Sequence, residues 1–415
     1  MVSPKQALSV ADVHEHIRTS IFTSSVEGRV GVEVEWLPIF EQDPDTYVPL
    51  ELLEGLLDPS VPLPQGSGVT FEPGGQIELS SVPGQSVAVT CRSVSADLRF
   101  IKQKLSAHGI KLHGVGLDPY RPGRRLLQHP RYRCMESYFD SEWPAGRSMM
   151  RASSAVHVNL DVAGIEDGAE RWRLVHALGP TLSAVFANSA IAGGRPTGLR
   201  STRLGIWQAI DPSRTLPTSP VGDPVQVWAR YALEARVMFI NVNGELQPMR
   251  RPMSFGEWLA DGHALGFPEL SDLEAHLTTL FPPIRPKGWL ELRMIDALPD
   301  PWWRVPVALA SAIVYDEKAA RSVQEAIEPT ADLWAVAARH GMSHSLLAES
   351  ARVCFAAALE ALDRLDVDDE TARIMAAYNE RYVVAQRSPA DDQLDAWSQG
   401  RPVLIADETL EETWT

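Results

Sequence analysis

Cysteine is scarce in this chain. Cys91, Cys134 and Cys354 are the only three, and no two form a CxxC pair, so neither a disulfide scaffold nor a thiolate zinc site is expected. No window approaches the roughly 18 uninterrupted apolar residues of a membrane span. The opening "MVSPKQALSVADVHEH" lacks a basic segment followed by an apolar one, so no targeting signal is read there. Positive charge is also in short supply. Lys and Arg number 38 against 54 Asp and Glu, a net charge of −16, which argues against nucleic acid or an anionic membrane as partner. No G-x-G-x-x-G follows a first strand and no P-loop is present, so a bound nucleotide would need another device. There is no internal repeat, and no Ser–His–Asp or Cys–His pattern. What remains is a cytoplasmic, globular chain of 415 residues, 45% hydrophobic.

Strand-like and helix-like stretches alternate over the first 300 residues. "SVADVHEHIRTSIF" has helical spacing, a strand is expected over Gly31 to Leu37, and "PLELLEGLLDPS" reads as a short helix. "VTFEPGGQIELSS" reads as strand, turn and strand. Ser86 to His108 reads as a helix ending at Gly109, followed by the strand "IKLHGVGLD". "SSAVHVNLD", "ARVMFINVN" and "WLELRMID" complete the strands, and "RWRLVHALGPTLSAVFANSAI" is a long helix with a proline inside. Residues 306–387 have helical spacing almost throughout, and residues 388–415 read as an irregular acidic tail. The pattern predicts an α+β fold with a mainly antiparallel sheet, in a single domain over residues 1–415.

Four strands share one peculiarity. Residues two apart on a strand lie on one face. Glu33 and Glu35 therefore oppose Val32, Val34 and Trp36. Gln76, Glu78 and Ser80 oppose Ile77 and Leu79. His157, Asn159 and Asp161 oppose Val156, Val158 and Leu160, and Glu291 and Arg293 oppose Leu290, Leu292 and Met294. Two readings stay open. One is the solvated outer face of a half-buried sheet. The other is a site for hard cations, because stacked glutamates repel unless positive charge sits among them, and Mg²⁺ takes oxygen ligands shared with substrate phosphates. His157 fits three roles in such a set: metal ligand, donor to substrate, or structural hydrogen-bonder.

Arginine is concentrated in "NSAIAGGRPTGLRSTRLGIWQAIDPSRT", with Arg195, Arg200, Arg203 and Arg214 among Gly, Ser and Thr. Its planar fork meets carboxylate or phosphate through two bonds. Arg203 and Arg214 adjoin ordered-looking sequence and are favoured as anion contacts over a merely solvated basic loop. "HPRYRCMESYF" adds Arg131 and Arg133 beside Tyr132 and Tyr138.

Taken together, "GVEVEW", "FEPGGQIELS", "HPRYRCMESYF", "SSAVHVNLD", "FANSAIAGGRPTGLRSTRLGIW", "DPSRT" and "WLELRMID" resemble the glutamate–cysteine ligase family in its plant-type and actinobacterial branch. Within it the chain is most similar to the ligases that open ergothioneine synthesis. The motifs keep the family's order over about residues 28 to 315.

The resemblance implies a curved, mainly antiparallel sheet forming a funnel, similar to the catalytic part of glutamine synthetase, with helices outside and a helical C-terminal region. It implies ATP- and Mg²⁺-dependent coupling of the L-glutamate γ-carboxylate to the L-cysteine amine through γ-glutamyl phosphate, with two or three Mg²⁺ ions. By the same resemblance Glu33, Glu35, Glu78, Glu291 and His157 are metal ligands. Glu72, Arg203 and Arg293 stand at the reacting groups, and Arg131, Arg203, Arg214, Gln76, Asn159 and Tyr132 bind substrate and ATP. His157 stands where the plant enzymes have Gln. Two alternatives stay beside this reading: a ligase of the same fold with another amine acceptor, and a non-catalytic Mg²⁺- or nucleotide-binding relative.

Overall fold

A computed structural model describes residues 8–23, 28–162, 165–242, 244–264 and 266–403, without the side chains of 165–167. Its frame is a seven-stranded antiparallel sheet. The strands are β1 (Val30–Phe40), β2 (Gly68–Phe71), β3 (Ile77–Ser80), β4 (Ile110–His113), β5 (Ala155–Asp161), β6 (Ile284–Pro286) and β7 (Trp289–Asp296). They run in the order β6-β7-β5-β1-β3-β2, with β4 pairing the far end of β1. The sheet is open, with β6 and β2 at its edges.

β1 is the centre of this arrangement. Its first half pairs with β5 on one side, its middle with β3 on the other, and Leu37 to Phe40 with β4. It runs beyond the expected Gly31 to Leu37 because the β4 pairing extends it. Val32, Val34 and Trp36 are buried in the main core with Val156, Val158, Leu290 and Leu292. Each such side chain contributes about 1.5–3 kcal/mol by leaving water. The opposite face carries the carboxylates, so one alternation sets both the core and the polar face.

Helices cover the apolar face. α1 (Val87–Ser106) starts at Ser86, whose hydroxyl accepts from the Val89 amide. α2 (Ile165–Val185) accommodates Pro180 inside its length. α3 (Arg304–Tyr315) is buried along most of its length, and α4 (Ser345–Ala361) packs beyond it. Shorter helices carry a second core around Trp228, Phe255 and Trp258.

Several expectations are corrected. "ARVMFINVN" supplies only Phe239–Val242, in a separate hairpin with Glu245–Pro248. The arginine-rich loop holds a small hairpin, Ile191–Ala192 with Arg195–Pro196, and then the helix Thr202–Gln208. The tail expected to be irregular from residue 388 instead folds as the helix Pro389–Ser398. Ser388 and Asp391 form a capping box there, and Pro389 takes the first turn, where its missing N–H costs nothing. Residues 404–415 lie outside the described residues.

Candidate active site

The polar face of the sheet floors a cleft of about 340 Å³. Glu33 and Glu35 reach it from β1, Glu72, Gln76 and Glu78 from the β2–β3 hairpin, and His157 from β5. Arg285, Lys287 and Arg293 come from the β6–β7 hairpin, Arg131 and Tyr132 from the helix Pro130–Glu142, and Arg203 from the helix Thr202–Gln208.

Local backbone chemistry sets these positions. In "FEPGGQIELS" the Gly75 amide donates to the Glu72 carbonyl and the Glu72 amide to the Gln76 carbonyl. This is a three-residue hairpin loop with Pro73 at its corner and Gly75 at φ +86°. Gly74 has no room for a side chain, because a Cβ there would lie 2.0 Å from the Arg151 carbonyl oxygen. Gln76 locks the loop: its Oε1 accepts from the Gly74 amide, and its Nε2 donates to the Ser153 carbonyl at 2.7 Å. Its amide is thereby committed to the loop, although the residue lines the cleft. The turn returns Glu72 to the space that Glu78 faces.

On β7 the register slips between Leu292 and Ile295, so Arg293 and Met294 together oppose His157 on β5. Bulges of this kind re-aim side chains next to functional sites. Here Arg293 Nη1 donates to Glu291 at 2.8 Å, and the Arg293 carbonyl accepts from Arg203 Nη2 at 2.9 Å.

The carboxylates fall into two sets. In the first, Glu33, His157 and Glu291 each place one ligand atom within 4.8 Å of the others. Glu33 pairs with His157 across β1 and β5, and His157 Nδ1 donates to Glu33 Oε2 at 3.1 Å. That leaves His157 Nε2 as the lone-pair nitrogen. It is buried without a partner, 4.0 Å from Glu35 Oε1. Burial, together with Arg293, lowers the His157 pKa to about 4, so the ring is neutral at pH 7 and offers that lone pair. Burial is the largest influence and would raise Glu33, but interactions with His157, its hydrogen bond first, and with Lys287 together leave Glu33 below its ordinary value. Glu291 is fully buried, yet Arg285 and Arg293 overcome that and hold it well below the usual range. Arg285 grips it with bonds of 2.6 and 3.1 Å.

The second set is Glu35, Glu72 and Glu78. Glu35 accepts from the Ala155 amide at 2.8 Å, and Glu78 from Thr70 and Ser80. Glu72 and Glu78 keep some surface open to the cleft, but lie deep enough that burial is the first cause of their raised pKa values. Burial and then Glu78 push Glu72 up to about 8. Glu35 is raised well above its ordinary value by burial, then Glu72 and Glu78. Raised carboxylates crowded together are a place where positive charge is wanted. The hard-oxygen donor set, with one neutral imidazole nitrogen, fits Mg²⁺.

Guanidinium groups flank these carboxylates. Arg203 is buried, stacks on Trp207 with 4.6 Å between guanidinium carbon and ring centre, and leaves Nε without a partner. Arg293 Nε is likewise buried and unpartnered. Arg131 is half-buried, bonded to Thr278 through Oγ1 and the carbonyl. Burial and then Glu72 raise the neighbouring Tyr132 to about 12.

Three expected positions do not line the cleft. Glu291 is itself fully buried, held by Arg285 and Arg293, which do line it. Arg214 is fully buried elsewhere, its Nε donating to Asp211 at 2.7 Å and Nη1 to the Thr279 carbonyl and hydroxyl. Nη2 reaches Tyr138 and the Arg236 carbonyl. With its donors committed, Arg214 ties the Pro212–Thr215 turn to the core. Asn159 does not line the cleft; its amide donates to Glu33 at 3.4 Å from two residues along β5 from His157. Arg285 and Lys287 were not anticipated, although "IRPKGWLEL" holds a signal. The Lys287–Gly288 turn, with Gly288 at φ +82°, places Arg285 directly opposite Glu291.

This geometry, on this sheet, is that of an enzyme of the ligase class. The chain belongs to glutamate–cysteine ligase family 2 (GCS2), whose profile matches residues 29–411. It is 38% identical over 400 residues to glutamate–cysteine ligase EgtA of Mycolicibacterium smegmatis, covering 94% of this chain and 92% of the relative. Among solved structures, the glutamate–cysteine ligase of Francisella tularensis in complex with AMP superposes with a TM-score of 0.52 at 12% identity, covering 90% of this chain and 85% of that one. A bifunctional glutathione synthetase from Pasteurella multocida gives a TM-score of 0.58 at 14% identity, covering 93% of this chain; the match spans 52% of that longer protein. At these identities the two structures speak to the fold alone. No helix among the described residues is long and apolar enough to cross a membrane.

Proposed function

We propose that the chain is a single cytoplasmic catalytic domain that joins the γ-carboxylate of L-glutamate to the amine of L-cysteine with hydrolysis of ATP to ADP and phosphate. The product is γ-glutamylcysteine, made for ergothioneine synthesis. The observation that carries this reading is the meeting of Glu33, Glu35, Glu72 and Glu78 with Arg131, Arg203, Arg285, Lys287 and Arg293 in one cleft. Cation-seeking and anion-seeking groups side by side suit a polyphosphate and its metal.

In this reading Glu33, His157 and Glu291, with Glu35 and Glu78, would hold two or three Mg²⁺ ions, which offset phosphate charge when bound. Arg203 and Arg293, with Arg131, Arg285 and Lys287, give the cleft a positive surface for anionic oxygen, and the Tyr132 hydroxyl stands beside them. A glutamate γ-carboxylate oxygen attacks the γ-phosphorus of ATP, and the bond to the β–γ bridging oxygen breaks, releasing ADP. The cysteine amine then attacks the carbonyl carbon of γ-glutamyl phosphate, phosphate leaves with the original carboxylate oxygen, and the amine gives up a proton. Glu72 stands beside the reacting groups; its pKa is raised to about 8 without metal, and bound cations would lower it and leave the carboxylate ionised as the proton acceptor. No protein nucleophile is required; position and charge do the work.

The test is ADP release with glutamate, ATP and Mg²⁺, with and without cysteine and against other small amines. Cysteine-dependent release is expected. Equal rates with any small amine would remove cysteine as the acceptor, and no amine-dependent release would remove the ligase reading.

A further inference from the structure

One buried carboxylate stands behind the cleft without lining it. Asp296 ends β7, further along the strand from Glu291, and is almost wholly buried. Four donors face it: the Asn188 amide at 2.9 Å, the Ser189 hydroxyl at 2.7 Å, the Ser201 hydroxyl at 2.9 Å and, further off at 3.9 Å, Arg203 Nη1. Both hydroxyls pass the contact on. Ser189 Oγ accepts from the Arg203 amide at 3.1 Å, and Ser201 Oγ caps the helix Thr202–Gln208 by accepting from the Leu204 amide at 3.1 Å. Asp296 is therefore linked to Arg203 at its backbone and at its guanidinium alike.

The helix Pro389–Ser398 grips the same segment from another side. Its Gln393 is buried. Gln393 Nε2 donates to the Asn188 carbonyl at 2.9 Å and to Asn188 Oδ1 at 2.8 Å, while Oε1 accepts from the Ala190 amide at 2.8 Å. The Ala390 amide adds a bond to the Ala187 carbonyl. Residues 187–190 are thus clamped between the C-terminal helix and Asp296.

We propose that Asp296 is a positioning residue for Arg203, and that the helix Pro389–Ser398 supports the reaction from outside the cleft through Gln393 and this buried chain. The inference rests on the ligase reading, in which Arg203 meets anionic oxygen, and adds what aims that guanidinium. An arginine on its long stem has many rotamers to choose among. The Trp207 ring and the Arg293 carbonyl hold Arg203 on one side, and Asp296 fixes it from behind without touching substrate. Displacement of a reacting or binding group by about 1 Å costs about 100-fold in rate. The donors around Asp296 match an ionised carboxylate, which only accepts. An amide in its place would turn one of the two oxygen positions into a donor facing donors.

The test is kcat for ADP release, at a temperature where melting curves show each variant fully folded. Asp296→Asn is expected to lower kcat by about tenfold or more. Gln393→Leu, which keeps bulk and loses the amide, is expected to lower it less and in the same direction. Ser86→Ala removes a cap from α1, which has no part in this chain of contacts, and is expected to leave kcat unchanged. The decisive comparison repeats Asp296→Asn in an Arg203→Lys background. An effect that travels through Arg203 shrinks there to within about twofold, whereas a merely structural one is equal in both backgrounds. Full kcat in folded Asp296→Asn or Gln393→Leu protein, or an equal loss in both backgrounds, would overturn the proposal. Where Asp296→Asn fails to fold or Arg203→Lys has no turnover, Ser189→Ala decides. It removes only the hydroxyl between Asp296 and the Arg203 amide, a loss of kcat is expected, and full kcat would overturn the proposal. Absence of amine-dependent release from the unaltered protein would defeat the ligase reading itself.

Discussion

Glu35 and Glu78 face each other directly across β1 and β3. Two carboxylates opposed on neighbouring strands repel, and Glu72 returns to the same space through the Pro73–Gly75 turn. Hydrogen bonds from the Ala155 amide, Thr70 and Ser80 soften the conflict without removing it. The sheet therefore holds a repulsion that bound cations would relieve, and its consequences are measurable.

Stability without metal should depend on pH in an uncommon direction. Glu72 moves from an ordinary 4.5 to about 8 on folding, so the folded state holds a proton that the unfolded state has lost. Its contribution is fully present below 4.5 and is lost as pH rises towards about 8, at about 1.4 kcal/mol per unit. Glu35 and Glu78 shift in the same direction. Urea unfolding of the metal-free protein should show falling stability from about pH 6.5 to 8, above the range in which buried His157, His176 and His276, neutral in the fold and protonated when unfolded, oppose the trend, and Mg²⁺ should restore it at the alkaline end. Stability rising through the window would contradict the assignment.

Glu35→Gln and Glu78→Gln should separate function from folding. Each removes one charge from the repelling set, so melting temperature at pH 8 should hold or rise. Turnover should fall by at least about 100-fold, the usual cost of losing a central electrostatic group. Near-normal turnover in either variant would take that residue out of the site.

Arg214 and Arg203 should behave as opposites. Burial works against the Asp211 carboxylate, but Arg214 and Tyr138 hold it below its ordinary value, and removing the arginine leaves a buried, uncompensated charge. Arg214→Ala should cost about 3–5 kcal/mol in denaturant unfolding. Arg203→Ala should chiefly abolish turnover. A stable Arg214→Ala protein with specific loss of ATP-dependent activity would return Arg214 to the substrate site.

Much of this site could be read from alternation alone. Period-two spacing put Glu33, Glu35, Glu78, His157 and Glu291 on polar faces, and the Pro-Gly-Gly turn accounted for Glu72. Side-chain partners were harder. Arg214 read as an anion contact because it sits in an arginine-rich stretch, yet Asp211 three residues earlier was the available sign of a local pair. Arg285 needed the β6–β7 register, and Arg293 the bulge, which no spacing rule reveals. Ser388, Pro389 and Asp391 did carry a helix-start signature, which the acidic composition around it obscured.

The central claim is that this cleft activates glutamate as an acyl phosphate. Glutamate labelled with ¹⁸O in both γ-carboxylate oxygens, turned over with ATP, Mg²⁺ and cysteine, tests it most directly. The account requires one labelled oxygen in each released phosphate, because the carboxylate oxygen that attacks phosphorus leaves with it. Unlabelled phosphate accompanying γ-glutamylcysteine would contradict it.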